Sequence, residues 1–314
     1  MTMAKWMTTG TKIDADNIAD AMKQVGADFS VGTKPIFTQG ENLIDGIPVI
    51  GQSIPMKAII RQDNNAVLGV VGDNYKPIQP AESFEFFDEL VQEKQAHYTR
   101  GGTMPNGPFA NGSKIFISAD LTDNLIIGPD ECKQTVMMTT ANDGSGAMKV
   151  QFIVYRLVCL NGLIAIDKKR SNSISIRHTK NYNQRFVTAR TVLGTAKRYF
   201  EEMEKVYNMF YDSSFSDSDM KDLTLKIFPD VDEKNNTRRK NTRYQLNNLF
   251  RNGAGHENIR NTKWAALNAF AEFSDHKQGK TTKNKNADVN AFNSAINGPG
   301  AKLKNQAYQE LLTA

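Results

Sequence analysis

The sequence predicts an α+β fold: a curved antiparallel sheet with a hairpin, packed on long helices and followed by a smaller, mostly helical C-terminal region. Between about residues 47 and 180, short apolar runs alternate with turn residues, which is typical of antiparallel strands. Segments 81–94 and 184–210 instead carry apolar residues at helical spacing. The predicted regions are an N-terminal helix and extended arm (1–46), an α+β core with a basic window (47–210) and a helical region with a flexible basic loop at 277–286 (211–314).

Strand patterns in the core predict two hairpins. The predicted strands are 56–60, 66–71, 113–121, 135–140 and an apolar run at 150–163. The first pair flanks the polar turn 62–65, and the later pair flanks a turn that contains Asp143-Gly144. Asp-Gly between apolar runs is a strong hairpin signal. The glycine-rich segment 101–112 is predicted to be a loop, and residues 27–46 are predicted to be extended and loop-like.

Helical patterns recur along the chain. The predicted helices are 14–25, 81–94, 184–210, 223–227, 238–250, 263–273 and 301–312. Asp14 is expected to cap the first helix. Phe84 and Phe87 are expected on the buried face of the second. The serine- and aspartate-rich segment 211–219 is the predicted boundary of the core.

The composition is that of an ordinary globular protein. Hydrophobic residues make up 39% of the chain and charged residues 23%. No apolar run has the length of a membrane span, and residues 1–10 lack the apolar core of a signal peptide. Cys132 and Cys159 lie in strand-like runs, so we expect reduced core thiols. These features predict a cytoplasmic protein without a membrane partner.

Positive charge is concentrated in residues 149–198. This window contains eleven lysines and arginines and one acid, a balance of +10, whereas the remainder has 28 basic and 33 acidic residues, a balance of −5. A basic field of this density attracts polyanions through phosphate contacts and counterion release, although many charge runs are solvated faces without a partner. Aromatic side chains lie among the basic ones, which favours single-stranded nucleic acid.

The window supplies the predicted binding residues. We expect phosphate contacts from nine basic side chains: Lys149, Arg156, Lys168, Lys169, Arg170, Arg177, Lys180, Arg185 and Arg190. Tyr155 and Tyr182 either stack on bases or pack in the core, since tyrosine serves both roles. No cofactor is expected.

Enzyme motifs are weak in this sequence. Gly279-Lys280-Thr281 lacks the upstream glycine and the preceding strand of a phosphate-binding loop. Glu272, Asp275 and His276 could bind a metal or act as acid and base, but the polar C-terminal end of a helix explains them as well. Asp143 could be catalytic, but turn chemistry also explains it. We therefore assign no catalytic residue and no metal ligand.

Four segments form an ordered set of landmarks. They are Val-Gly-Asp-Asn-Tyr at 71–75, the turn 139–147 leading into 155–162, Ile-Arg-His-Thr at 176–179, and 261–269 with Asp-His at 275–276. Together they resemble the phage/plasmid-like protein family built on the domain of unknown function 932. The resemblance covers roughly residues 55–312 and implies a mobile-element protein kept beside recombination or replication genes.

A weaker architectural similarity is to the single-strand annealing recombinases. It implies oligomeric rings or filaments that hold the phosphates of single-stranded DNA inward and leave the bases exposed. We therefore predict a phage or plasmid protein that binds single-stranded DNA and promotes annealing in recombination, as a homo-oligomer in the host cytoplasm. The alternatives are an interaction protein that binds a host defence protein, and a metal-dependent nucleic-acid-processing enzyme.

Overall fold

The protein contains two antiparallel sheets and a helical C-terminal half, which confirms the predicted α+β class. The computed structural model describes residues 5–44, 47–92, 95–158, 162–163, 173–182, 196–231, 233–277 and 287–314. Elements are numbered in chain order within these residues.

A seven-stranded antiparallel sheet forms the centre of the molecule. Its strands are β1 (Thr11–Lys12), β5 (Ala96–Met104), β6 (Lys114–Ile127), β7 (Asp130–Ala141), β8 (Met148–Arg156), β9 (Gly162–Leu163) and β10 (Ser173–Ile176). The strand order is β1-β5-β6-β7-β8-β10, and β9 also pairs with β8. β7 and β8 form the predicted hairpin around Asp143-Gly144.

The second sheet has three strands and forms an arm. It consists of β2 (Val31–Ile44), β3 (Ile47–Arg61) and β4 (Val67–Gly72), in that order. The predicted pairing of 56–60 with 66–71 is confirmed. Residues 31–44, expected to be extended and loop-like, form an extended edge strand, and an edge position tolerates Pro35, which has no N–H to donate to a ladder. Phe37, Ile47 and Ile50 are exposed on this arm.

The helices cover both faces of the large sheet. They are α1 (Lys5–Thr8), α2 (Ile18–Gln24), α3 (Pro80–Gln92), α4 (Ala196–Asp212), α5 (Asp217–Ile227), α6 (Glu233–Asn252), α7 (Lys263–Glu272), α8 (Ala287–Asn297) and α9 (Pro299–Thr313), with a π-helical turn at Phe273–Lys277. On one face, the ring of Phe152 in β8 lies 5.6 Å from that of Phe200 in α4. On the other face, Phe116 in β6 lies 4.5 Å from Phe292 in α8. The sheet is therefore buried on both sides over much of its area.

Several predicted boundaries need correction. α2 begins at Ile18 because the side chain of Asn17, not Asp14, accepts from the N–H of Asp20 and caps the helix. α3 begins at Pro80, one residue before the predicted start, and Phe84 and Phe87 are fully buried as expected. α4 occupies only the second half of the predicted helix 184–210, and residues 183–195 lie outside the described part of the chain.

The glycine-rich segment 101–112 is a strand at its start and a loop afterwards. Gly101 and Gly102 belong to β5. A Cβ at Gly101 would lie 2.8 Å from Val25 Cγ1, and a Cβ at Gly102 would lie 3.1 Å from Phe116 Cε1. Glycine is needed at these two positions because the neighbouring side chains pack against the backbone. In the sequence alone, the same glycines look like a turn signal.

Helix α8 was not predicted. Its buried face is limited to Phe292, Ala295 and Ile296, and it contains three asparagines, which are weak helix formers. Of the predicted flexible basic loop, residues 278–286 lie outside the described residues.

Candidate nucleic-acid interface

Arg156 belongs to the core and not to a surface. It is fully buried, its Nε lies 2.7 Å from Asp130 Oδ2, and its Nη2 donates to Asp130 Oδ1 at 2.7 Å. Nη2 also donates to the carbonyl of Gly255 at 2.9 Å, and Trp264 Nε1 donates to Asp130 Oδ2 at 2.7 Å. A buried guanidinium persists only when it is paired and hydrogen-bonded in this way. The prediction that Arg156 contacts phosphate is therefore wrong.

Both predicted tyrosines are buried. Tyr155 donates its hydroxyl to Asp120 Oδ2 at 2.8 Å, and burial followed by the Asp120 charge raises its pKa well above the usual value. Tyr182 donates to the Glu82 carboxylate at 2.9 Å, and burial followed by this hydrogen bond raises its pKa to about 12. Of the two roles considered, packing in the core is the one that this burial favours.

The remaining predicted basic residues fall into two groups. Arg177 and Lys180 are exposed, and Lys149 is half-buried. The others lie outside the described residues and stay predictions: Lys168, Lys169, Arg170, Arg185 and Arg190.

His178 anchors the segment that carries Arg177 and Lys180. Its ring stacks on Tyr75 with centroids 5.0 Å apart, and its Nδ1 accepts the backbone N–H of Ile78 at 3.2 Å. Burial lowers the pKa of His178 to about 4, partly opposed by the charge of Asp143, so the ring is neutral at pH 7 and can act as this acceptor. The exposed cations therefore project from a fixed turn.

A recess of about 220 Å³ lies on the α8-covered face, at the end of β6, β7 and β8. Phe116 pairs with Thr139 and Thr139 pairs with Lys149, so these side chains share one face of the sheet. Lys114, two residues before Phe116, is on the same face. We call this cavity the lysine recess.

Helix α8 supplies the polar wall of the lysine recess. Asn297 Oδ1 accepts from Lys149 Nζ at 3.3 Å, and Asn297 Nδ2 donates to Thr139 Oγ1 at 3.4 Å. Ser145 and Gly146, from the β7–β8 turn, also line the recess. None of its described lining residues is aspartate or glutamate. Two ammonium groups in a recess with no carboxylate among its described lining residues favour an anion of the size of a phosphate.

The exposed edge of the sheet extends this positive region. β10 is an edge strand in which Ser175 pairs directly with Lys149. The alternation of burial continues past the end of β10: Ile176 and His178 are buried, whereas Arg177 between them is exposed. Arg177 therefore lies on the side of Ser175 and Lys149. The lysine recess and Arg177 form the candidate interface.

A second recess on the same face has different electrostatics. It has a volume of about 560 Å³ and is lined by Asp14, Asp16 and Asp120 together with Lys12 and Arg100. Its three carboxylates disfavour a phosphate, in contrast to the lysine recess.

The residues considered for catalysis have structural partners. Asp275 Oδ1 lies 2.8 Å from Lys304 Nζ, and its Oδ2 accepts the N–H of Gly162 at 2.8 Å. Glu272 accepts the N–H of Ala254 at 3.0 Å. Asp143 accepts from Ser145 N–H at 2.8 Å, as its turn position predicts. Within the described residues, no three His, Cys, Asp or Glu side chains are grouped as metal ligands.

Two cations at or near the site are not among the binding residues predicted from the sequence. Lys114 lies outside the basic window, and only its strand spacing from Phe116 indicates the face it occupies. Lys76 is exposed beside the anchored turn, and its N–H donates to the carbonyl of His178 at 3.1 Å. Both lysines lie outside the basic window, so the distribution of charge along the sequence could not identify them.

The landmark segments of the sequence meet at two points in the fold. Tyr75 and Thr140 both contact His178, at 3.1 Å and 3.4 Å. Arg156 and Trp264 share the carboxylate of Asp130. Buried polar contacts thus join landmark segments that lie about a hundred residues apart in the chain.

The fold and the site define a class: an α+β protein with a lysine recess on one face of an antiparallel sheet, in which no described lining residue is a carboxylate. The chain belongs to the family described as Domain of unknown function (DUF932), whose model matches residues 67–296. This confirms the family that the landmarks indicated. No curated protein and no solved structure matches the chain. Among the described helices, none has the length and apolar character needed to cross a membrane.

Proposed function

We propose that the protein binds single-stranded DNA by its phosphates and promotes the annealing of complementary strands, without making or breaking a covalent bond. The observation that carries the proposal is the lysine recess, in which Lys114 and Lys149 face a cavity with no carboxylate among its described lining residues. Neutralising phosphates in this way reduces the repulsion between two strands that approach each other.

The shape of the recess favours a single strand over a duplex. A cavity of about 220 Å³ accepts one phosphate group below the surface of the sheet. A single strand can bend locally to place a phosphate there, whereas a duplex has a persistence length of about 50 nm and keeps its backbone straight over this distance. Arg177 at the exposed edge would contact the next phosphates.

The burial of the tyrosines agrees with an annealing role. Tyr155 and Tyr182 are buried and donate their hydroxyls to the carboxylates of Asp120 and Glu82, so they do not offer a stacking platform for bases. A strand held by its phosphates keeps its base edges free. Free base edges are what a second strand needs for pairing, so binding by the backbone alone suits annealing better than sequence reading.

The arm supports self-association. Ile47 and Ile50 are 68% and 71% exposed, and Phe37 on the neighbouring strand is 46% exposed. Exposed apolar side chains clustered on one hairpin are typical of interaction surfaces. We propose that copies of the chain join through this arm and lengthen the bound stretch of DNA, as expected for a phage or plasmid recombination protein in a host cytoplasm. Sedimentation of an Ile47→Lys/Ile50→Lys variant tests this step, since a charged arm should give monomers.

The proposal is tested with a labelled single-stranded oligonucleotide and fluorescence anisotropy at two salt concentrations without metal. We expect salt-sensitive binding, and we expect Lys114→Gln/Lys149→Gln to lower the slope of log K against log salt by about 1.4, since each single-strand phosphate contact contributes about 0.7. Glutamine keeps the aliphatic stem and removes the charge. An annealing assay with complementary strands follows.

The matched control is Lys205→Gln/Lys302→Gln, which removes the same charge from exposed positions on α4 and α9. This control should bind like the wild type. Absence of single-strand binding, or an equal loss in the control, would refute the proposal. The arm and the basic edge should then be tested as a surface for a host protein.

A further inference from the structure

Helix α6 (Glu233–Asn252) carries a second concentration of positive charge. From residue 234 to residue 256 the chain has six lysines and arginines and no aspartate or glutamate: Lys234, Arg238, Arg239, Lys240, Arg243 and Arg251. Solvated helices normally mix both signs and pair them three or four residues apart. Arg243 and Arg251 pair with Asp230 and Asp217 of the preceding segments, so it is the exposed charge of Arg238 and Lys240 that points to an anionic partner.

The side of α6 that faces the protein is fixed. Leu246, Leu249 and Phe250 are buried at helical spacing. Arg239 donates to the carbonyl of Pro229 at 2.7 Å, and Arg243 donates to the carbonyl of Phe228 at 2.7 Å. These two arginines hold the loop before the helix, so the outer face is presented by a rigid element.

The outer face of α6 is a stripe of polar side chains. Arg238, Asn241, Gln245 and Asn248 are exposed at spacings of three and four residues, which places them in one line along the helix. Within the described residues, the side chains of Arg238, Asn241 and Gln245 have no hydrogen-bond partner. Their donors and acceptors are therefore available.

An exposed aromatic residue lies beside this stripe. Tyr244 is 76% exposed, and Lys240 is exposed one turn before it on the same side of the helix. A tyrosine at this exposure gains nothing from the core. Its hydroxyl and the ammonium of Lys240 are groups that contact phosphates beside a groove.

We infer that α6 binds double-stranded DNA with its outer face in the major groove. The major groove is about 12 Å wide and admits an α-helix. Arginine reads guanine, and asparagine or glutamine reads adenine, each by paired hydrogen bonds to the base edge. Duplex RNA does not suit this geometry, because its major groove is too narrow for side chains to read.

This duplex site is separate from the lysine recess. α6 packs against α5 and α7 in the helical region, whereas the recess lies between the large sheet and α8. The inference goes beyond the proposed single-strand binding and does not depend on it. A protein with both sites binds the strands before annealing at one place and their duplex product at another.

The test is anisotropy with a labelled 30-base-pair duplex at two salt concentrations. We expect Arg238→Ala/Lys240→Ala to reduce the slope of log K against log salt by about 1, from the phosphate that Lys240 no longer binds, and to relax specificity at the guanine that Arg238 reads. Alanine is the best helix former, so the fold is retained, which circular dichroism checks. Asn241→Ala/Gln245→Ala should keep the salt slope and lose discrimination between duplexes selected from a random pool and unselected ones.

The controls separate this inference from the proposed function. Lys205→Ala/Lys302→Ala removes the same charge elsewhere and should bind the duplex like the wild type. Lys114→Gln/Lys149→Gln should weaken single-strand binding and retain duplex binding. Absence of salt-sensitive duplex binding in the wild type, or an equal loss in the Lys205/Lys302 control, would overturn the inference. Duplex binding without single-strand binding would support it while refuting the proposed function.

Discussion

Replacing Arg156 with methionine tests the buried ion pair directly. The substitution leaves the Asp130 carboxylate in the core without its cation, and loss of one partner of a buried pair costs about 3–5 kcal/mol. This is a large part of a typical unfolding free energy of about 5–15 kcal/mol. With about 2.1 cal/mol/K of unfolding entropy for each of the 314 residues, the expected decrease in Tm is about 5–8 °C.

The assays are thermal unfolding, which gives the Tm, and urea unfolding, which gives the free energy, both at pH 7 and followed by tryptophan fluorescence. Asp73→Ala is the control, because it removes an exposed ion pair with Lys57 (Nζ–Oδ1 3.3 Å) that is worth at most about 1 kcal/mol. Arg156→Met/Asp130→Asn should recover part of the loss, since no buried charge remains and the amide oxygen still accepts from Trp264. An Arg156→Met protein with wild-type stability and unchanged urea midpoint would refute the buried pairing.

Three further predictions concern the stability of the folded state. Between pH 6.5 and 4, His178 is protonated in the unfolded chain but neutral in the folded protein, where its pKa is about 4. The free energy of unfolding should therefore fall by about 2 kcal/mol from pH 7 to pH 5 because of this histidine. The His178→Gln variant should lack this part of the pH dependence. Gly69→Ala should cost about 1–3 kcal/mol because the added Cβ would lie 2.4 Å from the carbonyl oxygen of Asp143. Ser216→Ala should cost about 1 kcal/mol because it removes the capping box of α5.

Each of these three has its own check by urea titration. The pH prediction fails if His178→Gln has the same difference in stability between pH 5 and pH 7 as the wild type. Gly72→Ala is the control for Gly69, because its added Cβ would meet nothing within 4 Å and should be nearly neutral. For Ser216, substitution by threonine should restore most of the lost stability, since threonine also caps.

Strands and helices could be predicted from the sequence wherever a single hydrophobic periodicity, of strand or of helix type, runs through a segment. The β3–β4 and β7–β8 hairpins have short polar turns between apolar runs, and α3 has Phe84 and Phe87 at helical spacing. These signals need no knowledge of distant residues. The α+β class follows from them, because strands and helices occupy separate parts of the chain.

The site could be predicted only in part, because its charges are defined by distant partners. Arg156 and Lys149 look alike in the sequence, each a basic residue in an apolar strand. The first is buried because Asp130 and Trp264 are brought to it, and Trp264 contacts that carboxylate from 134 residues away. Lys114 has no basic neighbour in the sequence. It lines the recess only because α8 covers this end of the sheet, and the weak apolar pattern of α8 did not allow that helix to be predicted.

The wall that α8 gives to the lysine recess has a consequence for synthesis of the chain. Lys149 is bonded to Asn297, which is 148 residues later. At a translation rate of about 5–20 residues per second, about 7–30 s pass between the synthesis of these two residues. During that interval the large sheet can form while its positive end is still open. A nascent chain therefore lacks the finished recess, and under the proposed function DNA loading would follow release of the chain.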